Sequence, residues 1–171
     1  MDSENMKYAK KYLAAGLIFS AVLGTLAHFF YEWSSQNPVI ALFSPVNEST
    51  WEHMKLVFFP ILLWSLFLPV KLREDSPAQR CALLVGGLIG TWLVPVTFYT
   101  YSGILGRNIA FIDIAIFYIS VLTAFGIAWK LRDSDRVSKL CPFIRLFTAV
   151  MLLAFFLFTF APPDIGLFAE P

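Results

Sequence analysis

The chain has 171 residues, of which 58% are hydrophobic and 15% are charged, and its mean hydropathy is +0.68. Soluble domains carry roughly a quarter charged residues, so this composition excludes an ordinary soluble domain and indicates an integral membrane protein. The formal net charge of +1 excludes the strongly basic surface that is typical of nucleic-acid-binding proteins.

Apolar stretches of about 20 residues, the length needed to cross a bilayer, occur five times along the chain. The predicted spans cover residues 12–33, 51–70, 81–101, 109–129 and 143–161. The first is longer than the apolar region of a signal peptide, and no small-residue cleavage site follows it. We therefore expect one all-α bundle domain over residues 1–171, in a multi-pass protein of the cell membrane.

The distribution of basic residues predicts the orientation of the chain. Of the 13 lysines and arginines, 11 lie in the N-terminal segment, residues 71–80 and residues 130–145, which share one side if five spans alternate. Because basic loops stay in the cytoplasm, we expect a cytoplasmic N-terminus and an extracytoplasmic C-terminus. Cys81 and Cys141 then face the cytoplasm, where thiols stay reduced, so the sequence predicts two packing residues and no disulfide.

Ionisable residues are predicted to gather at the outer ends of the spans. The apolar run of the second span, Leu56–Val70, has only 15 residues, so a complete span has to begin near Trp51. The ionisable residues placed at this depth on the first, second and fourth spans are His28, Glu32, Glu52, His53, Lys55 and Asp113. Because ionisable groups inside spans usually face the bundle interior with a partner, we expect one shared polar pocket.

These residue types suit a metal site and acid–base chemistry. The two histidines, His28 and His53, form with Glu52 a set suited to zinc or another divalent metal, with Glu48 and Asp113 as alternative carboxylates. The candidate catalytic residues are Glu52, His53 and Asp113. The residues expected to bind a lipid-like or anionic small molecule are Asn47, Glu48, Lys55, Tyr99, Tyr101 and Arg107.

Structural interpretations of the same residues stay open. Ser49 and Glu52 fit a helix-capping box. The histidines would act as hydrogen-bond bridges between helices. Lys55, or Arg107 in its place, would neutralise Asp113 in an ion pair. The two tyrosines are typical of the aromatic belt at a membrane surface.

Two further segments are expected to cover the outer end of the bundle. Residues 34–50 contain the apolar hexapeptide Pro38–Phe43, which is too short to cross a bilayer and is expected to lie at its surface. The tail after residue 161 contains Ile165, Leu167 and Phe168, and we expect these apolar side chains to dock onto the bundle.

The stretch N-E-S-x-W-E-H-x-K, Asn47–Lys55, resembles the signature of a family of small bacterial integral membrane proteins of unknown function. The similarity extends to FYTYSGILGRN, to IDIAIFYISV and to the closing P-P-x-I-x-L-F-x-x-P, and covers essentially the whole chain. That family more often has a histidine at the position of Asp164 and a proline at that of Gly166, which argues against a metal ligand from this tail. The resemblance implies a multi-helix bacterial membrane protein and implies no activity.

Three functions remain open from the sequence. The first is a metal-assisted or acid–base hydrolase, or a ligand site, for a lipid-like or anionic substrate. The second is a structural or partner-binding protein whose polar cluster fixes helix packing. The third is a proton-coupled transporter of small solutes that acts as a homo-oligomer. In each case the lipid bilayer is the expected environment, and no nucleic acid is expected as a partner.

Overall fold

The structure, a computed structural model, describes residues 3–170, and all of its regular secondary structure in that range is helical. The helices in chain order are α1 (Ser3–Trp33), α2 (Pro38–Ala41), α3 (Thr50–Leu66), α4 (Val70–Asp75), α5 (Gln79–Leu105), α6 (Ala110–Leu131) and α7 (Asp135–Phe160). A 3₁₀ turn, Gly166–Phe168, follows in the tail. Pro171, the last residue of the closing motif, lies outside the described residues.

Among the described residues, four helices are long and apolar enough to cross a membrane, and they correspond to the first, third, fourth and fifth predicted spans. Their ranges are Glu4–Trp33, Gln79–Leu105, Ala110–Leu131 and Asp135–Phe160. Large apolar side chains on their outer faces are exposed, such as Phe111 at 79% and Phe143 at 69%. Such faces are stable against lipid and unfavourable in water, so the chain is a helical, multi-pass membrane protein.

The second predicted span, residues 51–70, is not a single helix. It is divided into α3, which has 17 residues, and the short α4, with Phe67 as the C-cap of α3 and Pro69 as the N-cap of α4. A proline disfavours the helical conformation of the residue before it, which explains the break near Leu68. The helix α3 is therefore shorter than predicted, although most of its side chains are buried.

The helix α3 runs antiparallel to α1 through the centre of the bundle. Near one end of the pair, the Tyr12 hydroxyl donates a hydrogen bond to the Trp64 carbonyl, at 3.0 Å. Near the other end, the ring centroids of His28 and His53 are 5.4 Å apart. The N-terminal end of α3 thus lies beside the C-terminal end of α1, and this pairing brings the two histidines together.

Close packing of α5 against α6 depends on two glycines one turn apart. A Cβ atom at Gly86 would overlap the Ala124 carbonyl oxygen, and one at Gly90 would lie 2.7 Å from the Ser120 carbonyl oxygen. Small residues at this spacing let two helix backbones approach each other in a membrane. The close approach fixes α6, and with it Asp113, relative to the centre of the bundle.

We expect Gly86→Ala to lower the free energy of unfolding by about 1–3 kcal/mol, because the added methyl group forces two rigid backbones apart. The matched control is Gly126→Ala on α6, where an added Cβ meets no described atom within 4 Å. Titration of the purified protein with a denaturing detergent, followed by circular dichroism, measures both variants. Equal stabilities for the two would contradict the packing argument.

Cys81 and Cys141 form a disulfide that links α5 to α7, with their Cα atoms 5.5 Å apart. The prediction of two unbonded packing residues is therefore wrong. It was based on the compartment alone, whereas the packing of the two helices places the Cα atoms at the separation typical of disulfides. Both cysteines are buried, so the bond is shielded from soluble reductants.

Candidate functional site

The turn before α3 has a hydrogen-bonded geometry that positions the polar residues of the site. Ser49 is the N-cap of α3, and its hydroxyl accepts a hydrogen bond from the Glu52 amide at 3.4 Å, which confirms one half of the predicted capping box. The other half is absent from the described contacts, because the Ser49 amide donates to Asn47 Oδ1 at 3.0 Å. Asn47 therefore shapes the turn and directs Glu48 toward the histidines.

Three side chains from two helices and this turn converge at the end of the bundle where α1 ends and α3 begins. Glu48 Oε2 lies 3.4 Å from His53 Nε2, and Glu48 Oε1 lies 3.9 Å from His28 Nε2. One ligand atom of each residue lies within 4.8 Å of the other two. Bond lengths of 2.0–2.1 Å in a tetrahedral zinc site separate neighbouring ligand atoms by about 3.4 Å. The Glu48–His53 distance matches this separation, and the Glu48–His28 distance, through the other carboxylate oxygen, is longer.

The hydrogen bonding of His53 favours metal binding. Its Nδ1 lies 3.0 Å from the Ser49 carbonyl oxygen. Since a carbonyl only accepts, Nδ1 carries the proton, and in the neutral ring the lone pair is on Nε2, which faces Glu48. Metal-binding histidines commonly donate their second ring N–H to a backbone carbonyl in this way, which fixes both tautomer and ring orientation.

A cavity of about 500 Å³ adjoins the three side chains. Its polar lining is provided by His28, Glu48, Thr50, His53, Asn108, Asp113 and Glu170, and its apolar lining by Leu56, Val94, Phe98, Ala110, Ile114, Ile116 and Phe117. Asp113 accepts a hydrogen bond from the Tyr101 hydroxyl, which in turn accepts one from the Ile109 amide at 3.0 Å. A carboxylate held in this orientation lines the same cavity as the histidine cluster.

Glu52 and Lys55 form a separate, buried polar group. Lys55 Nζ donates hydrogen bonds to Glu52 Oε2 at 2.6 Å, to the Ala41 carbonyl at 2.8 Å, to Thr159 Oγ1 at 2.6 Å and to the Ser44 carbonyl at 3.4 Å. Lys55 is 0% exposed and Glu52 is 2% exposed, so the two charged groups are cut off from solvent, while Thr159 is half-buried.

The burial of this pair corrects three predictions. The ion pair between Lys55 and Asp113 is wrong, because Lys55 is paired with Glu52 and Asp113 with Tyr101. The ligand set His28, His53 and Glu52 is not brought together, since Glu48 occupies the place predicted for Glu52. The expected single pocket is wrong as well, because the polar residues divide into a cavity and a buried group.

The remaining predicted binding residues lie around the cavity, not in it. Tyr99 donates to the Gly166 carbonyl at 2.8 Å and holds the tail, and Arg107 is exposed; the described lining includes neither. Leu167 and Phe168 dock as predicted, with the Phe168 ring 5.0 Å from that of Trp51, whereas Ile165 is 58% exposed and does not dock. This docking brings Glu170 to the cavity, a residue that sequence analysis missed because an exposed glutamate near a chain end has no distinguishing pattern.

Comparison with curated proteins and with solved structures found no match. The motif Asn47–Lys55 contributes Glu48 and His53 to the cavity, and it contributes Glu52 and Lys55 to the buried group. A match to a family of proteins extends over the whole chain, residues 1–171. The protein therefore belongs to the family described as Family of unknown function (DUF6512).

Proposed function

We propose that this membrane protein binds a divalent metal ion, for which zinc fits best, through His28, His53 and Glu48, and hydrolyses a lipid-like substrate in the adjoining cavity. The observation that carries the proposal is the convergence of these three side chains, with the Nε2 atoms of both histidines within 3.9 Å of the Glu48 carboxylate. Two histidines and one carboxylate, with a further position open to water, are typical of catalytic zinc.

The chemistry proposed for the site divides between the metal and the protein. A zinc ion would supply a Lewis acid and an activated water. Asp113 is the general base that accepts a proton from the attacking water and returns it to the leaving group. Tyr101 is a positioning residue, because its hydroxyl holds the Asp113 carboxylate. The apolar lining from α3, α5 and α6 holds the hydrocarbon part of the substrate.

The proposal predicts about one equivalent of zinc in protein purified without chelators, measured by elemental analysis. Against a panel of ester and amide amphiphiles, Asp113→Asn is expected to lower kcat by about 10²–10⁴-fold, because it removes the general base and leaves the metal ligands in place. The exposed Asp164→Asn, in the tail, is the matched control. A zinc content far below one equivalent, also after incubation with zinc, would contradict the metal centre.

We also propose five crossings, with α3 as the fifth and the N-terminus in the cytoplasm. The helix α3 is about 25 Å long by its 17 residues, and it connects the two ends of the bundle. The 11 basic residues at the end opposite the cavity support this orientation. A disulfide is unusual at a cytosolic surface, and the Cys81–Cys141 bond at the basic end persists there because both cysteines are buried.

Labelling of single introduced cysteines with a membrane-impermeant maleimide tests this orientation in intact cells. We expect a cysteine at Asn37, after α1, or at Asp164, after α7, to react from outside, and one at Glu74 to react only after the cells are permeabilised. The reversed pattern would overturn the proposed orientation, and reaction of the cysteines at both Asn37 and Glu74 from outside would overturn the crossing by α3.

For Glu52 and Lys55 we propose a packing role. The Lys55 ammonium contacts the segment that contains Ala41 and Ser44, and it also contacts Thr159 on α7. One buried cation thus holds three parts of the chain at the outer end of the bundle. This favours the structural interpretation for these two residues, alongside the metal centre proposed for the histidines.

A further inference from the structure

The cavity is lined by negative charge. Glu48, Asp113 and Glu170 are part of the lining, and the described lining residues include no lysine or arginine. The two cations that the sequence offered for an anionic substrate are elsewhere, since Lys55 is buried against Glu52 and Arg107 is exposed outside the lining. The three carboxylates outnumber the two charges of one divalent ion, so the formal charge of the lining stays negative with a metal bound.

The remainder of the lining is apolar and partly aromatic. Phe98 and Phe117 come from α5 and α6, and Leu56 and Ile116 add aliphatic surface. Aromatic rings close to carboxylates form the usual environment for an ammonium group, because both the ring faces and the carboxylates attract a cation. Aliphatic surface beside them suits a hydrocarbon chain.

The cavity also reaches the lateral surface of the bundle, which faces the lipid. Ile114 lines the cavity and is 58% exposed on α6, one turn from the exposed Phe111. An amphiphile dissolved in the bilayer therefore has access to the cavity from the side. The exposed Glu48, whose side chain is 65% accessible, marks the polar end of the same space.

We propose that the ligand of this cavity is a cationic amphiphile, with a protonated amine or quaternary ammonium head near Asp113 and Glu170 and a hydrocarbon chain along Leu56, Phe98 and Phe117. If the protein is a hydrolase, the cationic amphiphile is also its substrate class, and to that extent the inference rests on the proposed function. Binding of the ammonium head uses the carboxylates and needs no metal. The two proposals can therefore fail independently.

The experiment measures equilibrium binding of three tritiated amphiphiles with the same ten-carbon chain to protein in nanodiscs of phosphatidylcholine, with empty nanodiscs subtracted. The probes are decyltrimethylammonium, decyl sulfate and decyl maltoside. We expect saturable binding of the ammonium probe with a Kd at least about tenfold lower than that of either other probe, which corresponds to one partly buried charge pair. Binding persists after the metal is removed with a chelator.

Asp113→Asn and Glu170→Gln are each expected to weaken binding of the ammonium probe by about tenfold, and Asp164→Asn is the matched control. Glu170 is exposed in the tail, so its variant tests the proposal even if Asp113→Asn folds poorly. Equal or tighter binding of decyl sulfate, or an equal loss in the Asp164→Asn control, would overturn the inference. Ammonium binding in a protein that takes up no zinc would overturn the metal centre and retain this inference.

Discussion

Lys55→Met is expected to lower the free energy of unfolding by about 3–5 kcal/mol, since it leaves the buried Glu52 carboxylate without its cation. The side chains of Lys55 and Glu52 are 0% and 3% exposed, so solvent cannot replace the lost partner. The substitution also removes the hydrogen bonds that Lys55 donates to the Ala41 and Ser44 carbonyls. These bonds hold the segment before α3 in place. The measurement is detergent-induced unfolding followed by circular dichroism.

Two further variants separate the effect of the unpaired charge from a general loss of packing. The double variant Lys55→Met/Glu52→Gln removes both charges and is expected to recover much of the lost stability. The control is Lys71→Met, because the Lys71–Glu4 ion pair is 3.8 Å long and exposed, and such pairs contribute at most about 1 kcal/mol. A double variant less stable than Lys55→Met would contradict the charge-pair explanation.

His53→Ala is expected to weaken zinc binding by at least about 100-fold. Loss of a residue that only supports a ligand already costs 10–100-fold, and loss of one of three ligands costs more. His53 Nε2 lies 3.4 Å from Glu48 Oε2, and the hydrogen bond from Nδ1 to the Ser49 carbonyl fixes the tautomer of the ring. Competition with a chromogenic zinc chelator measures the Kd of the purified variant.

Glu48→Gln distinguishes the ligand set of the structure from the set predicted by the sequence. We expect it to weaken zinc binding by more than about tenfold, because an amide is a poorer zinc ligand than a carboxylate. Glu32→Gln, on the exposed surface of α1, is the matched control and is expected to leave the Kd unchanged. Unchanged zinc affinity in Glu48→Gln would exclude Glu48 as a ligand.

Hydrophobic length was enough to predict the long helices, because crossing a bilayer requires about 20 apolar residues and four of the spans meet that requirement. The break after α3 was harder to predict. Pro69 causes this break, but a single proline hardly lowers the hydropathy of the apolar run, so a search for apolar stretches does not detect it. Of the ionisable residues predicted at one depth, His28, His53 and Asp113 line the same cavity.

The partners of individual polar residues were harder to predict. Glu52 and Lys55 are three residues apart on one helix, a spacing that indicates an ion pair and that the prediction overlooked in favour of Asp113. Glu48 points to the histidines because Asn47 bonds to the Ser49 amide, and a turn of this kind has no hydrophobic period. The disulfide depends on which helices are neighbours, which one sequence does not reveal.

The docked tail has a practical consequence for purification. Tyr99 and Trp51 hold residues 166–168, and Glu170 lines the cavity, so a polyhistidine tag after the last residue would place extra imidazoles beside the proposed zinc ligands. Zinc measured in such a preparation would report partly on the tag. A tag before α1 would lie about 38 Å from His28, because 25 residues of helix separate Ser3 from His28, so its imidazoles could not complete the proposed site.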